Sequence, residues 1–222
     1  MLLLAIIVIL SYLVGSVPNS IIVSKMVRGI DIRQHGSGNA GGTNVMRVLG
    51  WRYGIFVIGL DAVKGVIAVL LIARLHYGPL PFNNVSPFDD FTLVQIIAGV
   101  AAVIGHIWTV FAEFKGGKGI ATALGMLMML ITFEMLIAIG VFIIVVTISK
   151  YISLGSLVAA LSIPLSLILR ENVLHDHING YNTILPFVIF LTLLVIFTHR
   201  KNLVRIFNGT ENKFSFKKKF KT

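Results

Sequence analysis

Polar and apolar positions along this chain are sorted into long blocks, with no short alternation. Residues 1–24, 91–112, 151–169 and 178–198 contain no Asp, Glu, Lys or Arg, and residues 51–73 contain only Arg52, Asp61 and Lys64. A helix rises about 1.5 Å per residue and the hydrocarbon core of a bilayer is about 30 Å thick, so each block is long enough to predict a transmembrane helix. The first block lacks a basic leading region and a small-residue cleavage site, and it outlasts the apolar stretch of a signal peptide, so it reads as a retained span. The block 119–149 has one charge, Glu134. As a single helix it would reach about 46 Å, too long for one pass. Two short or tilted helices turning near residues 132–134 fit better. A turn at membrane depth needs protein or water around its backbone, which predicts a buried or interfacial Glu134.

Composition agrees with this pattern: 56% of residues are hydrophobic and 13% charged, with a mean hydropathy of +0.92. These values belong to the membrane class. The formal charge of +10 is unevenly placed. Lys25, Arg28, Arg33, Arg47 and Arg52 form one basic group, Lys115 and Lys118 a second, Lys150 a third, and the tail from Arg200 onward a fourth. The 75–92 connection carries Asp89 and Asp90 without Lys or Arg, and 170–177 sets Arg170 beside Glu171 and Asp176. The positive-inside rule then predicts an all-α polytopic membrane protein of about seven transmembrane helices, with its N-terminus outside and its C-terminus cytoplasmic. No linker or repeat divides it, so residues 1–213 read as one integral-membrane domain and 214–222 as a basic tail. That tail interleaves lysines with Phe214, Phe216 and Phe220, a composition drawn to anionic lipid. The absence of cysteine excludes disulfides, thiolate metal sites and an acyl-cysteine intermediate.

Chemistry gathers in the segments assigned to the cytoplasmic face. The stretch HGSGNAGGTNVMR, residues 35–47, spells G-x-G-x-x-G through Gly36, Gly38 and Gly41. A dinucleotide-binding turn leaves a strand and opens a helix in a soluble βαβ unit. This loop lies between membrane spans, which excludes that reading, and nothing points to nucleic acid. Glycine-rich backbone can instead form a nest of N–H groups for an anion. Ser37, Asn39, Gly42, Thr43 and Asn44 add donors and close approach, and Arg47 offers a fork for phosphate. Taken alone, the loop could equally be a structural turn. A second segment joins Gly105-His106 to Phe114-Lys115-Gly116-Gly117-Lys118-Gly119. It is no Walker A loop, because Ala112 occupies the first glycine position and Gly119 follows Lys118. A third, 150–156, opens a helix with Ser153 and Ser156, which could also be ordinary caps. The fourth begins at His199 and carries Arg200, Asn202, Arg205 and Glu211. Asp61 and Lys64, three apart, can pair on one helix face. Two cationic, glycine-rich anion sites beside lipid suggest that two phosphorylated molecules meet. The alternative is a membrane transporter or binding protein for a phosphorylated metabolite, although the inverted repeats and midplane polar pathway of transporters are weak here.

Together GSGNAGGTNVMR, GH followed eight residues later by FKGGKG, and KYISLGS resemble the three signature motifs of the bacterial membrane glycerol-3-phosphate acyltransferases that use acyl phosphate, the PlsY family. The tail segment HRKNLVRIFNGTENK is similar as well, so the resemblance runs from Gly15 to Lys213. One departure is Thr109, where the second motif would carry proline. The resemblance implies transfer of a fatty acyl group from acyl phosphate to the 1-hydroxyl of sn-glycerol 3-phosphate, giving lysophosphatidic acid and phosphate in the first step of phospholipid biosynthesis. It also implies a seven-helix bacterial inner-membrane enzyme with a cytoplasmic active site, no cofactor or metal, and a functional link to the enzyme that makes acyl phosphate.

Acyl phosphate is already activated, so the protein's tasks are orientation and stabilisation of developing charge. The expected route is direct attack by the glycerol hydroxyl, with the departing phosphate taking the proton. Ser37, Thr43 and neighbouring amides would hold the donor phosphate or oxyanion. Arg47, Lys115 or Lys118, Ser153 or Ser156, Asn202 and Arg205 would orient phosphates, with Glu211 ordering its loop. His106 is the side-chain alternative as general base, against a helix-packing role.

Overall fold

The computed structural model describes residues 1–76, 80, 86–211 and 213; the basic tail expected at 214–222 lies outside them. Among these residues the chain is helical and contains no strand. It divides into two compact units, Met1–Leu130 and Ile131–Thr222.

In the first unit, α1 (Leu2–Ser16) stops where Val17 takes φ −58, ψ 115 ahead of Pro18. Proline's ring pushes the preceding residue out of helical geometry. Helix α2 (Asn19–Arg28) resumes at once and ends at Gly29, whose φ of 67 lets its N–H reach the Lys25 carbonyl. Helix α3 (Gly42–Leu49) buries Val45 and Leu49 against α4 (Trp51–Ile67), which continues through a π-helical stretch, Ala68–Ile72. Helix α5 (Asp90–Ile107) starts at Asp89, whose carboxylate accepts from Thr92 N at 2.7 Å and so satisfies one of the orphan amides of a helix start. Helix α6 (Ile120–Leu130) packs on α4 and α5. The α4–α6 contact is backbone on backbone: a Cβ on Gly65 would lie 2.1 Å from the Thr122 carbonyl, and one on Gly125 would lie 1.9 Å from that of Ala62. Small residues let membrane helices approach this closely.

The 119–149 block does break in two, at Ile131 (φ −143, ψ 57). The break falls just before the expected turn, because Thr132 and Glu134 occupy the first turn of α7 (Thr132–Ser149). A carboxylate is favoured at that positive helix end. At 11 residues α6 spans only about 16 Å, half a bilayer core. Among the described residues, six segments are long and apolar enough to cross: Leu2–Arg28, Trp51–Leu75, Asp90–Ala112, Thr132–Ser149, Ile152–Asn172 and Tyr181–Thr198.

In the second unit α7 packs on α8 (Ile152–Asn172), α8 on α9 (Tyr181–Thr198), and α10 (Arg200–Phe207) touches both α8 and α9. Glu134 is buried and its carboxylate lies 2.5 Å from the Arg170 guanidinium. Arg170 also pairs with Asp176 and stacks 4.6 Å over the Phe133 ring. Outward-facing positions remain apolar: Ile148 and Phe190 are 78% and 62% exposed, surface that a bilayer solvates and water does not.

Candidate active site

The glycine loop is built around one buried side chain. The Asn44 carbonyl oxygen accepts from Ser37 N at 2.8 Å, while its amide nitrogen donates to the carbonyls of Ile32 (3.1 Å), His35 (2.9 Å) and Asn39 (3.1 Å). Gly36, at φ 62, has no room for a side chain, since a Cβ there would meet the Asn44 Oδ1 at 2.2 Å. Asn44, expected as a ligand donor, therefore has its amide committed to the shape of the loop. Ahead of it, Asp31 accepts from Arg33 N at 2.9 Å and pairs with the Arg33 guanidinium at 2.7 Å. That guanidinium holds the Asp31 carboxyl below its ordinary range. Arg33 also donates to the Ala112 carbonyl at 3.0 Å, so this cation fastens the loop to the second glycine segment.

That segment turns at Glu113 and Phe114, both with left-handed backbone, φ 57 and 58. It closes onto the end of α5, where Gly116 N donates to Ile107 O and Gly117 N to His106 O, each at 3.0 Å. Thr109 adopts φ −70, a value proline also takes, and its hydroxyl donates to the Ser16 carbonyl. At the departure from the expected proline the backbone thus keeps a φ that proline can adopt, and the threonine adds a hydrogen bond to the end of α1.

Between the two glycine segments lies a cavity of about 630 Å³. Ser37, Gly38, Asn39, Gly41, Gly42, Thr43, Asn44, Arg47, Asp61, His106 and Lys118 supply its polar lining, and Ile58, Ile120 and Leu124 its apolar lining. The first amides of α3, at Gly42 and Thr43, have no intrahelical acceptor and face this space with the positive end of the helix. Lys118 lines the cavity, whereas Lys115 is 73% exposed and 3.6 Å from Glu113. The two lysines that the sequence leaves equivalent thus have different surroundings, with Gly116 and Gly117 between them.

Beneath the cavity is a buried ionic cluster. Lys64 Nζ is 2.8 Å from Asp61 Oδ1 and donates to the Val17 carbonyl at 2.5 Å, and Asn19 donates to Asp61 at 3.0 Å. His106 Nδ1 lies 3.5 Å from the ammonium and 3.6 Å from the carboxylate. Among the described residues, no three His, Asp or Glu side chains are arranged to hold a metal ion.

A family model described as glycerol-3-phosphate acyltransferase matches residues 5–209, nearly the whole chain. The chain belongs to the glycerol-3-phosphate acyltransferase family. Proteins so named from Chlorobaculum tepidum and Chlorobium phaeobacteroides are 43% and 42% identical, over 96% and 97% of this chain and 97% and 98% of theirs. Two crystal structures of PlsY, an integral membrane glycerol 3-phosphate acyltransferase, match with a TM-score of 0.67 and 34% identity, covering 96% of this chain and 96% and 95% of theirs. One is a glycerol 3-phosphate form and the other a lysophosphatidic acid form. The protein is accordingly an acyltransferase carried on several membrane-crossing helices.

The second unit contributes its own polar cluster to this acyltransferase. Glu211 accepts from Ser153 Oγ (2.8 Å), Asn202 Nδ2 (2.8 Å) and Arg205 Nε (2.7 Å). These bonds, that from Asn202 foremost, lower its carboxyl from 4.5 to about 2. Ser156 bonds back to the Ile152 carbonyl, and Arg200 stacks 4.2 Å over Phe197, so neither joins the cluster. The sequence reading also missed the apolar lining. Its signal was the i, i+4 pair Ile120 and Leu124 directly after the second glycine segment.

Proposed function

We propose that the protein transfers a fatty acyl group from acyl phosphate to the 1-hydroxyl of sn-glycerol 3-phosphate, releasing 1-acyl-glycerol 3-phosphate and phosphate. The observation that carries this reading is the cavity's mixed cationic and apolar lining. A donor made of a phosphate on an acyl chain needs cations and amides together with apolar surface, and the cavity is lined by Ser37, Thr43, Arg47 and Lys118 as well as by Ile58, Ile120 and Leu124. The distribution of Lys and Arg supports a cytoplasmic site in a bacterial inner membrane, with the N-terminus outside.

In this reading the acceptor hydroxyl attacks the acyl carbon, a C–O ester bond forms, and the bond from carbon to the phosphate oxygen breaks. The hydroxyl proton leaves on the departing phosphate, so no acyl-enzyme is required. Ser37 and the Gly42 and Thr43 amides hold the donor phosphate or the oxyanion. Arg47 and Lys118 neutralise the charge that grows on the leaving group. In the second unit Asn202 and Arg205, held by Glu211, keep further N–H groups that could bind a phosphate oxygen, and the supply of donor links the protein to the enzyme that makes acyl phosphate.

The test is to mix the purified protein in lipid with palmitoyl phosphate and glycerol 3-phosphate, with parallel reactions on acyl-CoA and acyl carrier protein. Equal amounts of phosphate and lysophosphatidic acid from acyl phosphate alone are expected. Product only from a thioester would overturn the donor assignment, and no product from any donor would return the transport or binding reading.

A further inference from the structure

We infer that Lys64 fixes His106 in the tautomer with a bare Nδ1 and a protonated Nε2, making His106 a hydrogen-bond donor at the junction of the two glycine segments. Lys64 is then a positioning residue. An ammonium carries only donors. At 3.5 Å from Nδ1 it tolerates a lone pair there and repels an N–H. The competing partner, Asp61 Oδ1, is slightly farther from Nδ1 at 3.6 Å and already accepts from Lys64 and Asn19. The other ring nitrogen looks toward both glycine segments: a Cβ built on Gly117 would lie 2.2 Å from His106 Nε2 and 2.7 Å from the Ala40 carbonyl. His106 also lines the 630 Å³ cavity.

Three elements are therefore in register. Val17 and Asn19 anchor the ion pair from the α1–α2 junction, α4 carries the pair itself, and α5 carries the imidazole into the site. A protonated Nε2 cannot accept a proton, so His106 is not the general base, and its N–H is free to meet a phosphate or carbonyl oxygen. A buried ion pair costs desolvation. Its use here is to set the hydrogen-bonding sense of a neighbour, as partners of a histidine nitrogen commonly do. The kinetic consequence rests on the acyltransfer reading; the tautomer does not.

The experiment is nitrogen NMR of the ¹⁵N-histidine-labelled protein in lipid, in mildly alkaline buffer, with His106 assigned by its loss in His106→Asn. An unprotonated Nδ1 and a protonated Nε2 are expected. A protonated Nδ1, in the opposite tautomer or in the imidazolium, overturns the inference. Two variants supply the functional arm. His106→Gln keeps a donor near the Nε2 position, and His106→Asn, whose amide reaches only as far as Nδ1, keeps none there. Glutamine should retain kcat/KM within about threefold while asparagine loses roughly tenfold or more, the scale of a hydrogen bond to a charged group. Equal losses, or a better asparagine, overturn the donor role. A wild-type protein without acyl transfer would sink the proposed function and leave the ring assignment standing on the spectrum.

Discussion

Replacing Asn44 should loosen the glycine loop, because this cavity-lining side chain spends its hydrogen bonds on the loop's own backbone. The side chain is 1% exposed and makes one accepted and three donated contacts, all to backbone of the loop or its base. Its amide has two hydrogens for three carbonyls, so one is shared. That leaves about three full hydrogen bonds, each worth about 1 kcal/mol net. Asn44→Ala should therefore favour the open loop by about 3 kcal/mol, or roughly two orders of magnitude in the opening equilibrium. Hydrogen exchange of peptides covering 35–44 in lipid nanodiscs reads this directly, because the Ser37 amide is held by the Asn44 oxygen. Asn44→Asp is the sharper variant. It keeps the size and the acceptor for Ser37 but sets a carboxylate against three carbonyls, so it should exchange faster and transfer acyl groups more slowly than Asn44→Ala. Unchanged exchange and kcat/KM in both variants, or an aspartate variant better than alanine, would refute the keystone role.

The remaining predictions concern single side chains. Lys118→Ala should lower kcat/KM by roughly 10- to 150-fold, the range of a hydrogen bond to a charged group. Lys115→Ala, an exposed partner of Glu113, should lose less than about fivefold; equal effects would refute the division between them. Glu211, held at about 2 against an ordinary 4.5, contributes stability that is complete above the ordinary value and lost as pH falls from 4.5 toward 2. The thermal midpoint gap between wild type and Glu211→Gln should shrink across that window, and a gap independent of pH would contradict the cluster. Thr109→Pro exchanges one hydrogen bond for a preset φ, contributions of about 1 kcal/mol each and opposite sign. Its thermal midpoint should stay near that of the wild type, and a large loss would mean the Ser16 contact matters more than the backbone angle.

The helices were legible because apolar blocks bounded by charge leave few alternatives in a bilayer, and even the division of 119–149 followed from its excess length. The break itself shifted to Ile131 because Thr132 and Glu134 open a helix rather than turn one. In the first site, glycine spacing identified the loop but not which of its polar groups hold the backbone, as Asn44 does, or which lysine lines the cavity, so Asn44 looked like Ser37 and Lys115 like Lys118. That distinction depends on contacts such as Asn44 to Ile32, 12 residues apart, and Arg33 to Ala112, 79 apart. The Asp61–Lys64 pair was readable from its helical spacing; its meeting with His106 needed α4 and α5 brought together.

On the proposed function, the cavity between the glycine segments holds the acyl donor by its phosphate. The most direct measurement is the affinity of a non-hydrolysable acyl phosphonate for the protein in nanodiscs, in the wild type and in Ser37→Ala, Lys118→Ala and Lys115→Ala. The expected result is competition with acyl phosphate, with binding at least about tenfold weaker in the first two variants and nearly unchanged in the third. Equal affinity in all four proteins would contradict the claim and move the donor site elsewhere.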